Sequence, residues 1–405
     1  MKQSLFLVFS FVFLMVSCKK EQATKPQAGI WRGVLTLHPG KELPFNFELT
    51  TSGKIKIFNA DEVIEVDEVN IKGDSISIRL PVFDAEIKGT FTENSITAFY
   101  NKNPKNENIP FHATYGDTNR FPKSSQKATS VNGIWEAQFD YDKPEDSYVA
   151  KAVFSQEGSI IKGTFLTTTG DYRYLEGVVD GDSLKLSTFD GAHAFLFTAK
   201  RTDSTLNGLF HSGKGVTEKW TARLNSDYDL PDPYLLTVLK PGYDKIAFSF
   251  PDLDGNQISL EDVAYKDKVV ILQIMGSWCP NCLDETKYLA DYYRKNKTKG
   301  LEIIALAFEN VPTEARSFAN LKRLQKTIGV DYKILLAGSG IKNKIQAAER
   351  LPMLNHILSY PTTIFIDKKG KVRRIHTGFT GPATGEEYVK FKKEFDEFTQ
   401  GLLEE

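Results

Sequence analysis

The chain has 405 residues, too many for one ordinary domain, so two or three domains are expected. Hydrophobic residues make up 41% and charged residues 25%, the balance of a soluble globular protein. A formal net charge of −1 leaves no electrostatic case for nucleic acid as a partner.

The first predicted element is an export signal. "MKQSLFLVFSFVFLMVSC" has one Lys, a run of large apolar residues, a small residue and then Cys18. The run is short for a membrane span and reads as a signal-peptide core. Its last five residues, Leu14 to Cys18, resemble a bacterial lipobox, with Met15 where the strongest form has Leu. The resemblance implies a lipoprotein signal peptide at 1–17, lipid on Cys18, a membrane attachment through it, and a place in the bacterial cell envelope facing the periplasm. A plain secretory signal or an uncleaved anchor is the alternative. Of the three cysteines, lipidation of Cys18 leaves only Cys279 and Cys282 to pair, in a compartment that is oxidising or redox-controlled. Residues 18–28 are polar and read as a tether.

A repeat follows. "GIWRGVL" begins at Gly29 and "GIWEAQF" at Gly133; "GDSISI" at Gly73 matches "GDSLKL" at Gly181. An offset of about a hundred residues suits tandem domains. Short alternating segments such as "FNFEL" and "AFLFTA", broken by Gly, Asn and Asp, predict two all-β domains at 29–117 and 133–225, each a barrel or a sandwich. The Gly-x-Trp that opens each half resembles the start of lipocalin-like and avidin-like barrels. Core packing is the expected role of Trp31 and Trp135, ahead of a ligand role. Residues 118–132 and 226–239 read as linkers.

From residue 240 the pattern becomes α/β. "KVVILQIMG" and "LEIIALAF" are continuous apolar strands, and "PTTIFID" and "KVRRIHTG" are strands around a "KKGK" turn. "PNCLDETKYLADYYRKNK", "TEARSFANLKRLQKTIG" and "TGEEYVKFKKEFDEFTQGLL" predict helices. Alternating strands and helices, closed by a hairpin and a helix, indicate a layered α/β domain over 240–405.

The chemistry centres on "GSWCPNC", residues 276–282. Structural zinc needs four ligands, and there is no second Cys pair or closely spaced His pair. A static staple across two intervening residues removes little unfolded-state entropy. Peroxide reduction fits poorly, because Gly276 stands where peroxide-reducing sites carry Thr or Ser. Thiol–disulfide exchange fits best. Cys279 at a helix N-terminus gains from unpaired N–H groups and the helix dipole, which favour a thiolate. Pro280 suits the first turn, Trp278 can shield the sulfur and meet a client, and Cys282 can resolve a mixed disulfide. Glu285 shares a helix face with Cys282. Two placements are open for it: a buried acid that exchanges a proton with Cys282, or an ordinary exposed helix Glu. Asp284 is expected to be the solvent-facing acid. Tyr360-Pro361 precedes an apolar strand, and a cis bond there would leave the Tyr360 backbone to pair with an extended client.

Residues 240–405 resemble the TlpA-like (ResA-like) disulfide reductases of the thioredoxin superfamily, through "FSFPDLDGNQISL", "WCPNCLDE" and "YPTTIFIDKKGKV". The resemblance implies a thioredoxin fold and a redox-active CxxC site, with Cys279 attacking, Cys282 resolving, Glu285 helping as an acid, and Pro361 in the cis form. It also implies an exported enzyme that reduces disulfide-bearing envelope proteins. With no flavin or nicotinamide motif, no cofactor is expected, and the electron donor would be a transmembrane thiol carrier. Many relatives have Pro where this chain has Lys287, which leaves the helix geometry open. The direction of exchange depends on potential and donor and stays open. The rival readings are a ligand- or client-binding lipoprotein built on its β domains, and a thiol peroxidase.

Overall fold

The computed structural model of the protein describes residues 25–102 and 107–405. The predicted signal segment and Cys18 lie outside them. Nine strands, β1 (Gly29–His38), β2 (Lys41–Leu49), β3 (Ile55–Asn59), β4 (Glu62–Val66), β5 (Glu68–Lys72), β6 (Ser75–Arg79), β7 (Ala85–Phe91), β8 (Ser95–Lys102) and β9 (Glu107–Tyr115), form one antiparallel sheet. Chain neighbours pair, and β1 pairs with β9, so the sheet curls around an inward row that includes Phe45, Phe47 and Phe111. One seam stays open. Strands β4 and β5 are the two edges of the sheet, although only Asp67 separates them in sequence.

The second sheet also has nine strands: β10 (Gly133–Phe139), β11 (Tyr148–Glu157), β12 (Ile160–Thr167), β13 (Gly170–Asp171), β14 (Leu175–Asp180), β15 (Ser183–Phe189), β16 (Ala194–Thr202), β17 (Thr205–Ser212) and β18 (Val216–Leu224). Here β10 pairs with both β11 and β18, and β11 pairs with β12. The ring therefore closes into a barrel, with two-residue β13 an outlier on β12. The repeat is visible in the packing. Trp31 is 0% and Trp135 1% exposed, and each indole N–H donates at 2.9 Å to a carbonyl four residues back, Gln27 or Val131.

The two β domains are bolted together. Phe189 stacks on Phe45 at 4.5 Å, and Asn59 both donates to and accepts from the Phe189 backbone at 2.9 and 3.1 Å. Arg120 lies in the stretch expected to be a plain linker. It is 6% exposed and donates to the Phe58 carbonyl, Asn59, and the Ser187 hydroxyl and carbonyl.

The third part begins with a hairpin of β19 (Ser249–Pro251) and β20 (Gln257–Ser259). Then come β21 (Val269–Met275), α1 (Pro280–Asn296), β22 (Leu301–Phe308), α2 (Glu314–Ile328), β23 (Lys333–Gly338), α3 (Lys344–Glu349), β24 (Thr362–Ile366), β25 (Val372–Thr377) and α4 (Glu386–Glu404). The sheet order is β23-β22-β21-β24-β25, with β21, β22 and β23 parallel and the last two strands antiparallel. Strand β23 and helix α3 had no counterpart in the sequence reading. A parallel strand buried on both faces lacks alternation, and α3 has 6 residues. On β21, Val269, Ile271 and Met275 face the α1 side, while Val270, Leu272 and Ile274 face the other. Helix α1 runs unbroken through Lys287.

One buried apolar cluster is continuous from the first β domain through Phe189, Ala192 and Leu196 to the α1 side of this sheet. Arg323 of α2 reaches Glu68 of β5 at 3.0 Å and the Leu80 carbonyl at 2.8 Å. A cleft of about 610 Å³ lies between β4, α1 and the end of α2. Among the described residues no helix is long and apolar enough to cross a membrane.

Candidate active site

Cys279 is the N-cap of α1, with extended backbone (φ −102°, ψ 115°) and Pro280 at the first helical position. This geometry turns its sulfur toward the orphan donors of the first turn, and the sulfur accepts from the Cys282 N–H at 3.3 Å. The Cys279 thiol donates to the Tyr360 carbonyl at 3.4 Å. Both cysteines are free thiols; Cys279 is 9% and Cys282 0% exposed.

Their surroundings push the two thiols apart in acidity. Burial raises Cys279, but hydrogen bonds from the Cys282 thiol and from the N–H groups of Cys282 and Asn281 outweigh it and hold Cys279 below an ordinary thiol. Burial pushes Cys282 well up, and the Cys279 sulfur, as hydrogen-bond partner and as charge, pushes it further.

Of its two open placements, Glu285 takes the buried one, at 0% exposed on the turn beyond Cys282. Burial raises its pKa to about 7, against hydrogen bonds that favour the charge from Thr363 at 2.7 Å and Gln273 at 2.9 Å. Gln273 also donates to the Cys282 carbonyl at 3.3 Å and accepts from Thr286 at 3.2 Å. It therefore ties the acid to the Cys282 turn. Asp284 corrects the sequence reading. It does not face solvent but is 8% exposed and pairs with Arg173 of the second β domain, which covers that side of α1.

The loop before Cys279 is clamped. Ser277 donates through its N–H and hydroxyl, at 2.8 and 2.7 Å, to the buried carboxylate of Glu309. The Trp278 indole donates to the Phe308 carbonyl at 3.0 Å and meets the Tyr360 ring edge-on at 5.4 Å. Gly276 makes this possible: a Cβ there would lie 2.4 Å from Trp278 Nε1 and 3.0 Å from the Phe308 oxygen. The Tyr360-Pro361 bond is cis.

The structure thus brings Trp278, Cys279, Cys282, Glu285, Tyr360 and Pro361 to one end of the sheet. Sequence reasoning missed three neighbours. Gln273 had a signal, being the one polar residue in a fully buried strand. Thr363 and Lys344 had none. The exposed Lys344 ammonium donates to the Leu358 carbonyl, on the turn that leads to Tyr360. Among the described residues no group of three or more His, Cys, Asp or Glu is placed to hold a metal ion.

Comparison with known proteins gives the same region a context. A sequence model of the AhpC/TSA family matches residues 241–375. Thiol-disulfide oxidoreductase ResA of Bacillus thuringiensis subsp. konkukian is 32% identical over 143 residues, covering 35% of this chain and 73% of that protein. ResA of Bacillus subtilis is 28% identical over 155 residues, covering 38% and 77%. The thioredoxin domain of a thiol-disulfide oxidoreductase from Bacteroides vulgatus matches at TM-score 0.28 and 23% identity, over 39% of this chain and 99% of that one. A thioredoxin-family thiol:disulfide interchange protein from Chlorobium tepidum matches at TM-score 0.28 and 21% identity, over 38% and 98%.

Proposed function

Because the chain belongs to the ResA-like thiol-disulfide oxidoreductases of the thioredoxin superfamily, we propose that it reduces protein disulfides through Cys279 and Cys282. The observation that carries the reading is the geometry of the pair: Cys279 caps α1 with its sulfur taking the Cys282 N–H at 3.3 Å, and Cys282 and Glu285 lie buried behind it, an arrangement that holds Cys279 below an ordinary thiol and pushes Cys282 up.

The Cys279 thiolate attacks one client sulfur. The client S–S bond breaks, and its other sulfur leaves as a thiolate that takes up a proton. Glu285, ionised, takes the proton of Cys282, whose sulfur then attacks Cys279. A Cys279–Cys282 disulfide forms and the second client thiol leaves. Two electrons pass from the cysteine pair to the client, and a membrane dithiol carrier restores the pair. Trp278 and Tyr360 wall the sulfur, and the Tyr360-Pro361 turn lies beside it, where a client would dock. The chain works from the bacterial envelope, anchored by lipid on Cys18 and facing the periplasm, on disulfide-bearing envelope proteins.

The test is trapping. Cys282→Ser should accumulate mixed disulfides between Cys279 and envelope proteins, while Cys279→Ser should trap none. A strongly reducing potential for the pair supports reduction, and one near the oxidising end overturns it in favour of an oxidase. Peroxide consumption by the reduced protein, without client reduction, would instead support a thiol peroxidase.

A further inference from the structure

The second β domain reaches into the redox site. Between β12 and β14 the segment Thr168–Arg173, which includes β13, folds back along β12 and lies on three elements of the third domain, two of which, the start of α1 and the turn before Pro361, flank Cys279. On α1, the Asn281 side chain donates to the Asp171 carbonyl at 3.1 Å. On the turn before Pro361, the Ser359 hydroxyl donates to the Thr169 carbonyl at 2.7 Å. After β25, the Gly381 N–H donates to the Asp171 carboxylate at 2.9 Å. Gly378, whose N–H donates to the Pro361 carbonyl at 3.0 Å, touches the segment backbone to backbone. A Cβ at Gly378 would lie 3.0 Å from the Thr169 carbonyl carbon and 3.1 Å from the Thr168 oxygen.

Arg173 latches the segment. It is 3% exposed and pairs with Asp284 of α1, with Asp190 of its own domain at 3.4 Å, and with Glu62 of the first β domain. On the Trp278 side the first β domain closes in. Val82 to Ala85, together with Ala192 and Ser277, leave a space of about 20 Å³, room for about one water molecule. Two domains that take no part in the exchange chemistry therefore pack against the elements that carry and flank the attacking sulfur.

We propose that Thr168–Arg173 is the specificity-determining element of this site, a roof that admits small disulfides and disulfides on slender extended segments while excluding those set in the surface of a folded protein. The proposal rests on the exchange chemistry above. A sulfur must approach Cys279 in line with the bond it breaks, and a broad client surface meets the roof before its disulfide reaches the thiolate. The docked arrangement also ties client access to the three-way junction at Arg173, because loosening the latch removes the segment's ion pairs to α1 and to the first domain.

The experiment compares the full-length protein with its Arg173→Ala and Asp171→Ala variants, each checked for cooperative unfolding. Reduced protein is treated with N-ethylmaleimide or with a maleimide on a polyethylene glycol chain, and labelling is read at the Cys279 peptide. The ratio of bulky to small labelling should rise about tenfold in Arg173→Ala, the effect of losing about 1.4 kcal/mol of docking. Single-turnover rates with a folded disulfide protein should rise likewise relative to oxidised glutathione. Asp171→Ala should move both ratios in the same direction, so the test survives misfolding of either variant. Unchanged ratios in both variants, or equal changes for large and small reagents, overturn the roof. Inertness of the wild type toward both disulfides overturns the exchange reading instead, and the labelling ratio still decides the roof.

Discussion

Glu285 is held between opposing demands. Burial favours its neutral form, while Thr363 and Gln273 donate to its two oxygens and favour the charge; the outcome is a pKa of about 7. Between the ordinary carboxylate value of 4.5 and about 7, the folded chain binds more protons than the unfolded chain. Stability therefore falls as pH rises through that window, by up to about 3 kcal/mol. Glu285→Gln should flatten this slope, as read from denaturant midpoints at stepped pH, and a slope equal to wild type would contradict the assignment. The same variant should slow the attack of Cys282 on a mixed disulfide by about a hundredfold, with little change in the alkylation of Cys279. Gln273→Met removes a donor to the charged form. It should move the pH profile of that second step to higher pH, which stopped-flow measurements would record.

At the scale of elements, the loop between β21 and α1 depends on one missing methyl group. Gly276→Ala would drive a Cβ into the Trp278 indole and toward the Phe308 carbonyl. The expected cost is about 1–3 kcal/mol in unfolding free energy, with a shift in Trp278 fluorescence. This scale also shows what was legible in the sequence. Cys279, Pro280, Cys282 and Glu285 follow one another along a single helix start, so spacing put Glu285 on the face of Cys282 but left open whether it is buried. Asp284 was not legible in this way. Its partner Arg173 sits in another domain, and helical position says nothing about what covers a helix from outside. Strand β23 hides for a related reason, since burial on both faces erases the alternation that marks a strand.

For the whole molecule, Arg120 is the clearest unexpected finding. Its composition-based setting is a linker, yet its guanidinium joins β3 to β15. Burial lowers its pKa to about 10, opposed by Glu176, so it stays charged at neutral pH. Arg120→Ala should cost about 3 kcal/mol and split a shared calorimetric transition of the two β domains into two. A single transition with an unchanged midpoint would show that the apolar contact of Phe189 with Phe45 suffices. The tandem β architecture was readable from the repeated Gly-x-Trp and the alternating segments. The docking of the β domains on the redox site was not, because it rests on single residues far apart in the chain: Arg173, Asn281, Ser359, Gly378 and Gly381.

The open seam of the first sheet bears on how the chain is made. Edge β4 lines the cleft beside α1 and the end of α2, and edge β5 is met by Arg323 of α2 through Glu68. Synthesis delivers residues 62–72 long before residues 280–328. The first β domain thus leaves the ribosome with two raw strand edges, each a template for pairing with another chain. Only the last domain brings α1 against β4 and Arg323 against Glu68 of β5, so these edges stay uncovered until it is made.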